Sequence, residues 1–187
     1  MTESDYFITL RNVLKPALKD VPKGKGGHYL IEEPNQKSFE LNTTGLIVHQ
    51  AIKLEALKGD WTCFRSPHPH AHKRCDRVIV TWDRQIDCPK YLLIELKSGN
   101  SGTAHKQLGA SLAFCHFLHR MVCVGQNAPP QPMFAALTVK TLPFSLKNYS
   151  TPSIPQWNHQ ALQPDCKHMH YQRSYGSLPI SAVLSKI

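Results

Sequence analysis

Asp76 and the tripeptide Glu95-Leu96-Lys97 combine two carboxylates and an amine in a pattern suited to phosphodiester chemistry. Two carboxylates with an adjacent backbone carbonyl suit a hard divalent cation, Mg²⁺ or Mn²⁺, which keeps several waters and binds phosphate oxygens in its remaining positions. Such a cation lowers the pKa of a bound water and stabilises charge that grows on phosphorus. Lys97 could position or deprotonate the water, or neutralise the transition state. These residue types therefore indicate hydrolysis of a phosphodiester.

Two neighbouring segments have the composition of a β-hairpin that would hold these groups. Residues 77–82 and 91–97 are rich in β-branched and aromatic side chains, and residues 83–90 between them are polar and include a proline. Asp83 is a rival for the first carboxylate ligand, but it would lie in the turn. The expected geometry therefore favours Asp76, at the opposite end of the hairpin.

The strand pattern also predicts which side chains share a face of the hairpin. A symmetric pairing would place Val78 opposite Glu95 and Asp76 opposite Lys97. Because side chains alternate along a strand, all four should then emerge on the same face. The opposite face should be apolar, formed by Leu92, Ile94 and Leu96.

Asp76, followed by Ile94-Glu95-Leu96-Lys97-Ser98-Gly99, resembles the PD-(D/E)xK nuclease superfamily, which has the restriction-endonuclease-like fold. Cys75 replaces the proline that gives the family its name, and that proline is frequently absent in the superfamily. The resemblance covers residues 74–121. It implies an α/β fold with a central mixed β-sheet flanked by helices, and a Mg²⁺- or Mn²⁺-dependent nuclease. DNA is favoured over RNA as the substrate, in the manner of an endonuclease effector in defence or repair.

A helix is predicted to follow the hairpin. Residues 98–103 read as a loop that ends in a threonine suited to an N-cap, and residues 104–121 carry apolar side chains at helical spacing. Gln107 would lie in the first turn, on the side where the loop returns from Lys97. The resemblance makes Gln107 an auxiliary catalytic residue, and a solvated helix glutamine is the alternative interpretation.

A further acid from an upstream helix is implied by the resemblance as a metal ligand. Thr43 or Thr44 could cap such a helix, on which Glu55 is the only acid, so Glu55 is the predicted third ligand. The apolar positions of this helix would be Leu46, Val48, Ile52 and Leu57. Three more glutamates remain alternatives to it: Glu32, Glu33 and Glu40.

The net charge of +9, from 22 Lys and Arg against 13 Asp and Glu, fits a polyanionic partner. Residues 68–74 run directly into Asp76 and are predicted to contact nucleic-acid phosphates. The candidate contact residues are His70, His72, Lys73 and Arg74. Zinc is an alternative for residues 68–72 together with Cys75, and for residues 166–170, since both groups contain Cys and His, although their spacings match no standard zinc module.

The length of 187 residues predicts one nuclease-like domain, with a core at about 39–141 and a C-terminal extension at 142–187. An opening helix is predicted over residues 5–18. After the helix that carries Glu55, a first core strand at 61–65 beside the hairpin and a strand at 134–139 would complete a helix–strand–strand–strand–helix–strand order.

The absence of a long apolar stretch predicts a soluble protein without a membrane partner, and the polar, acidic start of the chain favours the cytoplasm. The six cysteines lack close paired spacing, which favours free thiols. A chain of this size is compatible with a homodimer or a partner protein that supplies specificity. The alternative function is a non-catalytic nucleic-acid-binding or scaffolding subunit that keeps the nuclease fold.

Overall fold

The structure is a computed structural model that describes residues 1–20, 28–31, 39–46, 49–54, 74–97, 103–141, 160–173 and 177–185. The helices within these ranges are α1 (Glu3–Val13), α2 (Ala104–Val122) and α3 (Ile180–Leu184), with a short 3-10 turn at Pro16–Leu18. The strands are β1 (His28–Ile31), β2 (Phe39–Asn42), β3 (His49–Ile52), β4 (Arg77–Asp83), β5 (Cys88–Lys97), β6 (Met133–Thr141), β7 (Gln160–Gln163), β8 (Cys166–Arg173) and β9 (Ser177–Pro179).

The described strands form two sheets. The larger has six strands in the order β3-β4-β5-β6-β8-β7, and the smaller has the order β1-β2-β9. Strands β5, β6 and β8 are parallel to one another, whereas β3, β4 and β7 pair antiparallel with their neighbours. Helix α2 connects β5 to the parallel β6, as a parallel connection requires. The fold is therefore α/β, with mixed sheets flanked by helices.

Two apolar clusters cover the two faces of the six-stranded sheet. Helices α1 and α2 pack on one face, through residues such as Leu10 and Leu112 against Val78 and Leu93. The small sheet and α3 belong to the cluster that covers the other face, which includes Ile94 of β5. Because β5 is covered on both sides, it reads as a nearly continuous hydrophobic run.

Three buried polar side chains join α1 to the rest of the core. The Tyr6 hydroxyl on α1 forms hydrogen bonds with the Tyr91 hydroxyl on β5 and with His119 Nδ1 on α2, the latter at 2.9 Å. Tyr6 and Tyr91 are fully buried, and burial raises the pKa of both phenols. Because a buried polar group without a partner is costly, this network favours one orientation of α1 on the core.

The β4–β5 hairpin confirms the predicted faces but not the predicted register. Val78 lies opposite Leu93, so the pairing is shifted by two residues from the expected one. The prediction treated Pro89 as part of the connection, whereas β5 begins at Cys88 and Pro89 pairs with Trp82. A register shift of two residues leaves each side chain on the same face of the hairpin, so the predicted faces are unchanged.

Several predicted elements are confirmed by the structure. The helix predicted over 104–121 is α2, and the strand predicted at 134–139 lies within β6. The opening helix is also present, although it ends at Val13 and a separate 3-10 turn follows. The described part of the chain contains no helix long and apolar enough to span a bilayer. Its cysteines form no disulfide within the described ranges.

The helix predicted to start at Thr43 or Thr44 is wrong. The Asn42 side chain accepts a hydrogen bond from the Thr44 N–H at 2.8 Å, and Gly45 adopts a φ of +90°, so the chain turns here. Strand β3 follows the turn instead of a helix and pairs with β4 on the edge away from β5. Glu55 and the predicted strand at 61–65 lie outside the described residues.

Candidate functional site

The candidate site lies where the parallel strands of the large sheet end. Glu95 and Lys97 lie within the last three residues of β5. Asp76 directly precedes β4, and continuing the register of Arg77 opposite Ile94 by one residue places Asp76 opposite Glu95. The carboxyl ends of strands in open α/β sheets are the usual place for ligand sites. The two carboxylates and the lysine therefore share one face and one end of the sheet.

Lys97 connects two of the predicted site residues. Its Nζ lies 2.5 Å from Glu95 Oε1 and donates a hydrogen bond to Gln107 Oε1 at 2.6 Å. Glu95 is only 1% exposed, whereas the Lys97 side chain is 17% exposed. A buried carboxylate requires a charged or hydrogen-bonding partner, and Lys97 provides one. The structure thus places Gln107 on the site, as the prediction required, and not in bulk solvent.

Asp76 is held by the strand that carries Glu95. One oxygen of its carboxylate accepts a hydrogen bond from the Leu96 backbone N–H at 2.7 Å. A carboxylate has two oxygens and several lone pairs, so this contact orients the group without exhausting its capacity to accept. The carboxylate is thereby fixed against the Glu95-Leu96-Lys97 segment.

Helix α2 fixes the backbone that leads into Asp76. Gln107 Nε2 donates to the Arg74 carbonyl at 3.3 Å, and the Cys75 N–H donates to Ser111 Oγ at 2.7 Å. Ser111 Oγ in turn donates to the Gln107 carbonyl at 2.8 Å, within the helix. Gln107 therefore links Lys97 to the Asp76 segment, and Ser111 is a positioning residue that the sequence analysis missed.

A buried ion pair supports Asp76 from the other side of the sheet. Arg77 Nε donates to Asp20 Oδ2 at 2.6 Å, and Arg77 Nη1 donates to the Asp76 carbonyl at 2.7 Å. The side chains of Arg77 and Asp20 are only 4% and 7% exposed. Lys53 adds a more exposed contact to the same aspartate at 3.2 Å. Asp20 and Arg77 are far apart in the sequence, and no local pattern indicated that they meet.

Cys75 is an inert neighbour of the site. It is fully buried, and burial is the main cause that raises the pKa of its thiol, with the negative charges of Glu95 and Asp76 adding to the effect. Since the thiolate is the reactive form of cysteine, this residue is no candidate nucleophile. Its backbone, held by Ser111, is what contributes to the site.

The donor atoms of the site fit a hard divalent cation in part. Asp76 and Glu95 supply two carboxylates from neighbouring strands, which is a sufficient protein contribution for Mg²⁺ when waters and phosphate oxygens complete the octahedron. Within the described residues no group of three or more His, Cys, Asp or Glu side chains is arranged to hold a metal ion. A third protein ligand was predicted at Glu55, which lies outside those residues.

The remaining predicted site residues differ in their position relative to the site. Arg74 lies half-buried beside the site, and burial lowers the pKa of its guanidinium. The other predicted phosphate contacts lie outside the described residues: His70, His72 and Lys73. Asp83 lies at the far end of the hairpin, where its carboxylate contacts Lys90 Nζ at 2.6 Å and accepts from the Gln85 N–H at 2.8 Å. It therefore stabilises the turn and is remote from Glu95.

A row of polar side chains that the sequence analysis did not identify continues the site across the sheet. Glu95 on β5 pairs with Thr138 on β6, and Thr138 pairs with His170 on β8. Paired residues of neighbouring strands face the same way, so this row shares the α2 side of the sheet with Asp76. The alternation of histidine with Met169 and Tyr171 in residues 168–171 was the available signal for a strand there.

Comparisons of the chain with models of protein families, with curated proteins and with solved structures found no match. The function of the site therefore has to be argued from its own geometry and chemistry.

Proposed function

We propose that the chain is a metal-dependent nuclease of the PD-(D/E)xK type, with a restriction-endonuclease-like core, that hydrolyses phosphodiester bonds in nucleic acid. The observation that carries the proposal is the convergence of Asp76, Glu95, Lys97 and Gln107 at the carboxyl end of β5. Lys97 Nζ contacts both Glu95 and Gln107 there, and Asp76 binds the backbone of the same segment. Three residues singled out by type and spacing therefore meet at one place with Gln107, which the resemblance singled out.

The order of the elements supports this proposal. The strands β3, β4 and β5 are followed by α2 and then by β6, and α1 precedes them on the α2 side of the sheet. This sequence of elements resembles the predicted helix–strand–strand–strand–helix–strand order, but the first strand is β3 and not the predicted strand at 61–65, and α1, β1 and β2 precede it in place of the predicted helix that carries Glu55. The match is one of architecture, and fold alone does not determine function. The side chains of the site therefore carry the functional argument.

Each residue would have a distinct task in the reaction. Asp76 and Glu95 would bind Mg²⁺ or Mn²⁺, which supplies Lewis-acid stabilisation of phosphoryl charge and a more acidic bound water. Lys97 would orient the attacking water or donate a hydrogen bond to a phosphoryl oxygen. Gln107 would act as a positioning residue, because its amide fixes Lys97 on one side and the Arg74 carbonyl on the other.

The substrate is proposed to be DNA in preference to RNA. The preference for DNA rests on the resemblance, whereas the net charge of +9 and Arg74, two residues before Asp76, suit the phosphate backbone of either nucleic acid. Binding measured in EDTA should weaken steeply as salt rises, because cations released from the backbone accompany binding. A second copy of the chain or a partner protein would supply any sequence preference, a role compatible with an effector in defence or repair.

The proposal is tested by incubating the full chain with supercoiled DNA, linear DNA, single-stranded DNA and RNA in Mg²⁺, Mn²⁺ or EDTA. Cleavage is expected with either metal and not in EDTA. Asp76→Asn and Glu95→Gln should abolish cleavage, because each replaces a charged carboxylate by a neutral amide. The amide has nearly the same size and keeps one oxygen that accepts hydrogen bonds. Lys97→Ala should lower kcat by about 10²–10³-fold, the usual cost of removing one transition-state donor.

A matched control lies at the other end of the same hairpin. Asp83 and Lys90 form an ion pair of similar chemistry that is remote from Glu95, so Asp83→Asn and Lys90→Ala should cleave at the wild-type rate. Wild-type cleavage by the Glu95→Gln protein, purified free of other nucleases, would refute the assignment of the site.

The second candidate function is a non-catalytic nucleic-acid-binding or scaffolding subunit. The observation in its favour is that the buried Glu95 carboxylate is already neutralised by Lys97. Titration calorimetry with Mn²⁺ separates the two functions. A nuclease should bind the ion in the wild type and lose binding in Glu95→Gln, whereas a scaffold should show no difference between the two proteins.

A further inference from the structure

Three histidines cluster beside the candidate site, on the α2 side of the sheet. His168 and His170 lie on β8 with ring centroids 4.3 Å apart, and His105 in the first turn of α2 lies 6.4 Å from His168. His168 is 3% exposed, His170 is half-buried and His105 is exposed. The cluster therefore runs from the interior of the sheet to the surface at the start of α2.

The buried member of this cluster has one nitrogen without a hydrogen bond. His168 Nε2 lies 2.9 Å from Thr138 Oγ1, but His168 Nδ1 is buried and has no hydrogen-bonding partner among the described residues. Leaving a buried polar atom without a partner is costly, and native proteins usually fill such a place with a ligand or an ordered water. A ligand or an ordered water is therefore expected beside His168 Nδ1.

We propose that His105, His168 and His170, together with Thr138, form a subsite that binds a phosphate-type anion next to the candidate active site. The inference deepens the proposed function and rests on it for the identity of the natural ligand. Thr138 pairs with Glu95 on one side and with His170 on the other. Two strand spacings separate Glu95 from His170, or about 10 Å, so the anion would be a phosphate that neighbours the scissile one.

The protonation of His168 is consistent with an anionic ligand. Burial, with smaller effects of His170 and His105, lowers its pKa to about 4, so the ring is neutral at pH 7 and carries one N–H. If the Thr138 hydroxyl donates to Nε2, the remaining proton lies on Nδ1 and can be donated to an anion. His170 and His105 would add hydrogen bonds from the more open side, and the net positive charge of the chain attracts the anion.

Two sources of such an anion are compatible with this geometry, a free phosphate ion and a phosphodiester of bound nucleic acid. Nitrogen-15 spectra of the histidine rings distinguish them when inorganic phosphate, or a short double-stranded DNA in EDTA, is added to the full chain in a phosphate-free buffer. The proposal expects the His168 Nδ1 signal to shift with DNA. A shift with inorganic phosphate alone would support the anion subsite and assign it to free phosphate.

The paired variant test uses only the accessible histidines, so the buried core stays intact. His105→Gln with His170→Gln should weaken DNA binding in EDTA by about tenfold, the equivalent of one lost hydrogen bond to a charged group. His116→Gln is the matched control, because His116 is also half-exposed on α2 but contacts Asp165 at 3.1 Å. Its affinity should equal that of the wild type.

The outcomes separate this subsite from the proposed function. The Glu95→Gln protein should lose cleavage yet keep the His168 shift, because Glu95 is not part of the subsite. A chain that cuts no nucleic acid but shows the phosphate shift would retain the subsite and lose the nuclease proposal. If neither phosphate nor DNA moves the His168 signals, the subsite is refuted, whatever the cleavage assay shows.

Discussion

Replacing Asp20 by alanine tests whether the buried ion pair under Asp76 contributes to stability. The change leaves the Arg77 guanidinium in a place where its side chain is only 4% exposed, without the carboxylate that now binds it at 2.6 Å. Removing one partner of a buried ion pair costs about 3–5 kcal/mol, because the remaining buried charge loses the opposite charge that offset its desolvation. The contact of Lys53 adds less than about 1 kcal/mol, since that side chain is 39% exposed.

This loss is a large fraction of the stability of a typical domain, about 5–15 kcal/mol. In urea denaturation followed by tryptophan fluorescence, a loss of about 4 kcal/mol at a slope of about 2 kcal/mol per molar moves the midpoint by about 2 M. The slope itself should stay constant, because the unfolded chain exposes the same surface. The backbone amide signals of Asp76 and Arg77 should also shift, because Arg77 holds the Asp76 carbonyl.

The matched control is Glu3→Ala, which removes a surface ion pair with Arg84. Its two partners lie 3.0 Å apart, but the Arg84 side chain is 58% exposed, so the midpoint should fall by less than half as much. An Asp20→Ala protein that is no less stable than the Glu3→Ala protein would refute the argument that this pair stabilises the site.

Three further predictions concern single side chains. Ser111→Ala should cost about 1–3 kcal/mol in urea denaturation, because the buried Cys75 N–H loses its acceptor. The hydrogen bond with Lys90 lowers the pKa of Asp83 below 3.8. The ionised Asp83 carboxylate therefore contributes to stability above pH 3.8, and this contribution is lost as the pH falls through the pKa of Asp83 in the folded state. Asp83→Asn should therefore flatten the acid limb of the stability curve. Burial lowers the pKa of His168 from 6.5 to about 4, so the free energy of unfolding should fall as the pH falls across that interval. A His168→Gln protein should lose this pH dependence.

The elements predicted well were those with strong local signals. Residues 77–82 and 91–97 were predicted as strands from their β-branched and aromatic composition, and the alternation of side chains along a strand then gave the residues that share a face. The helical spacing of apolar residues in 104–121 predicted α2. The register was missed because Pro89 suggested a loop, while the structure includes it in β5. A register shift by an even number of residues leaves each side chain on the same face of the sheet, so Asp76 and Glu95 still lie on one face as predicted.

The missed elements depend on partners that are remote in the sequence. Strand β2 pairs with β9, which is more than 130 residues away, and β3 contains the polar residues His49 and Gln50. No local pattern encodes such pairings. The same reasoning applies to Asp20 with Arg77, and to the row from Thr138 to His170 that extends the site. Local patterns thus predicted the strands and the helix that carry the candidate site, but not the residues that support them.

The polar network that attaches α1 has a consequence for the order of folding. The Tyr6 hydroxyl contacts Tyr91 and His119, which are 85 and 113 residues further along the chain. Contacts between such distant segments slow folding, because a long loop must close before they form. During synthesis α1 must therefore wait until α2 has left the ribosome before it can dock. In that interval its apolar side chains, among them Phe7 and Leu10, remain accessible to chaperones and to other chains.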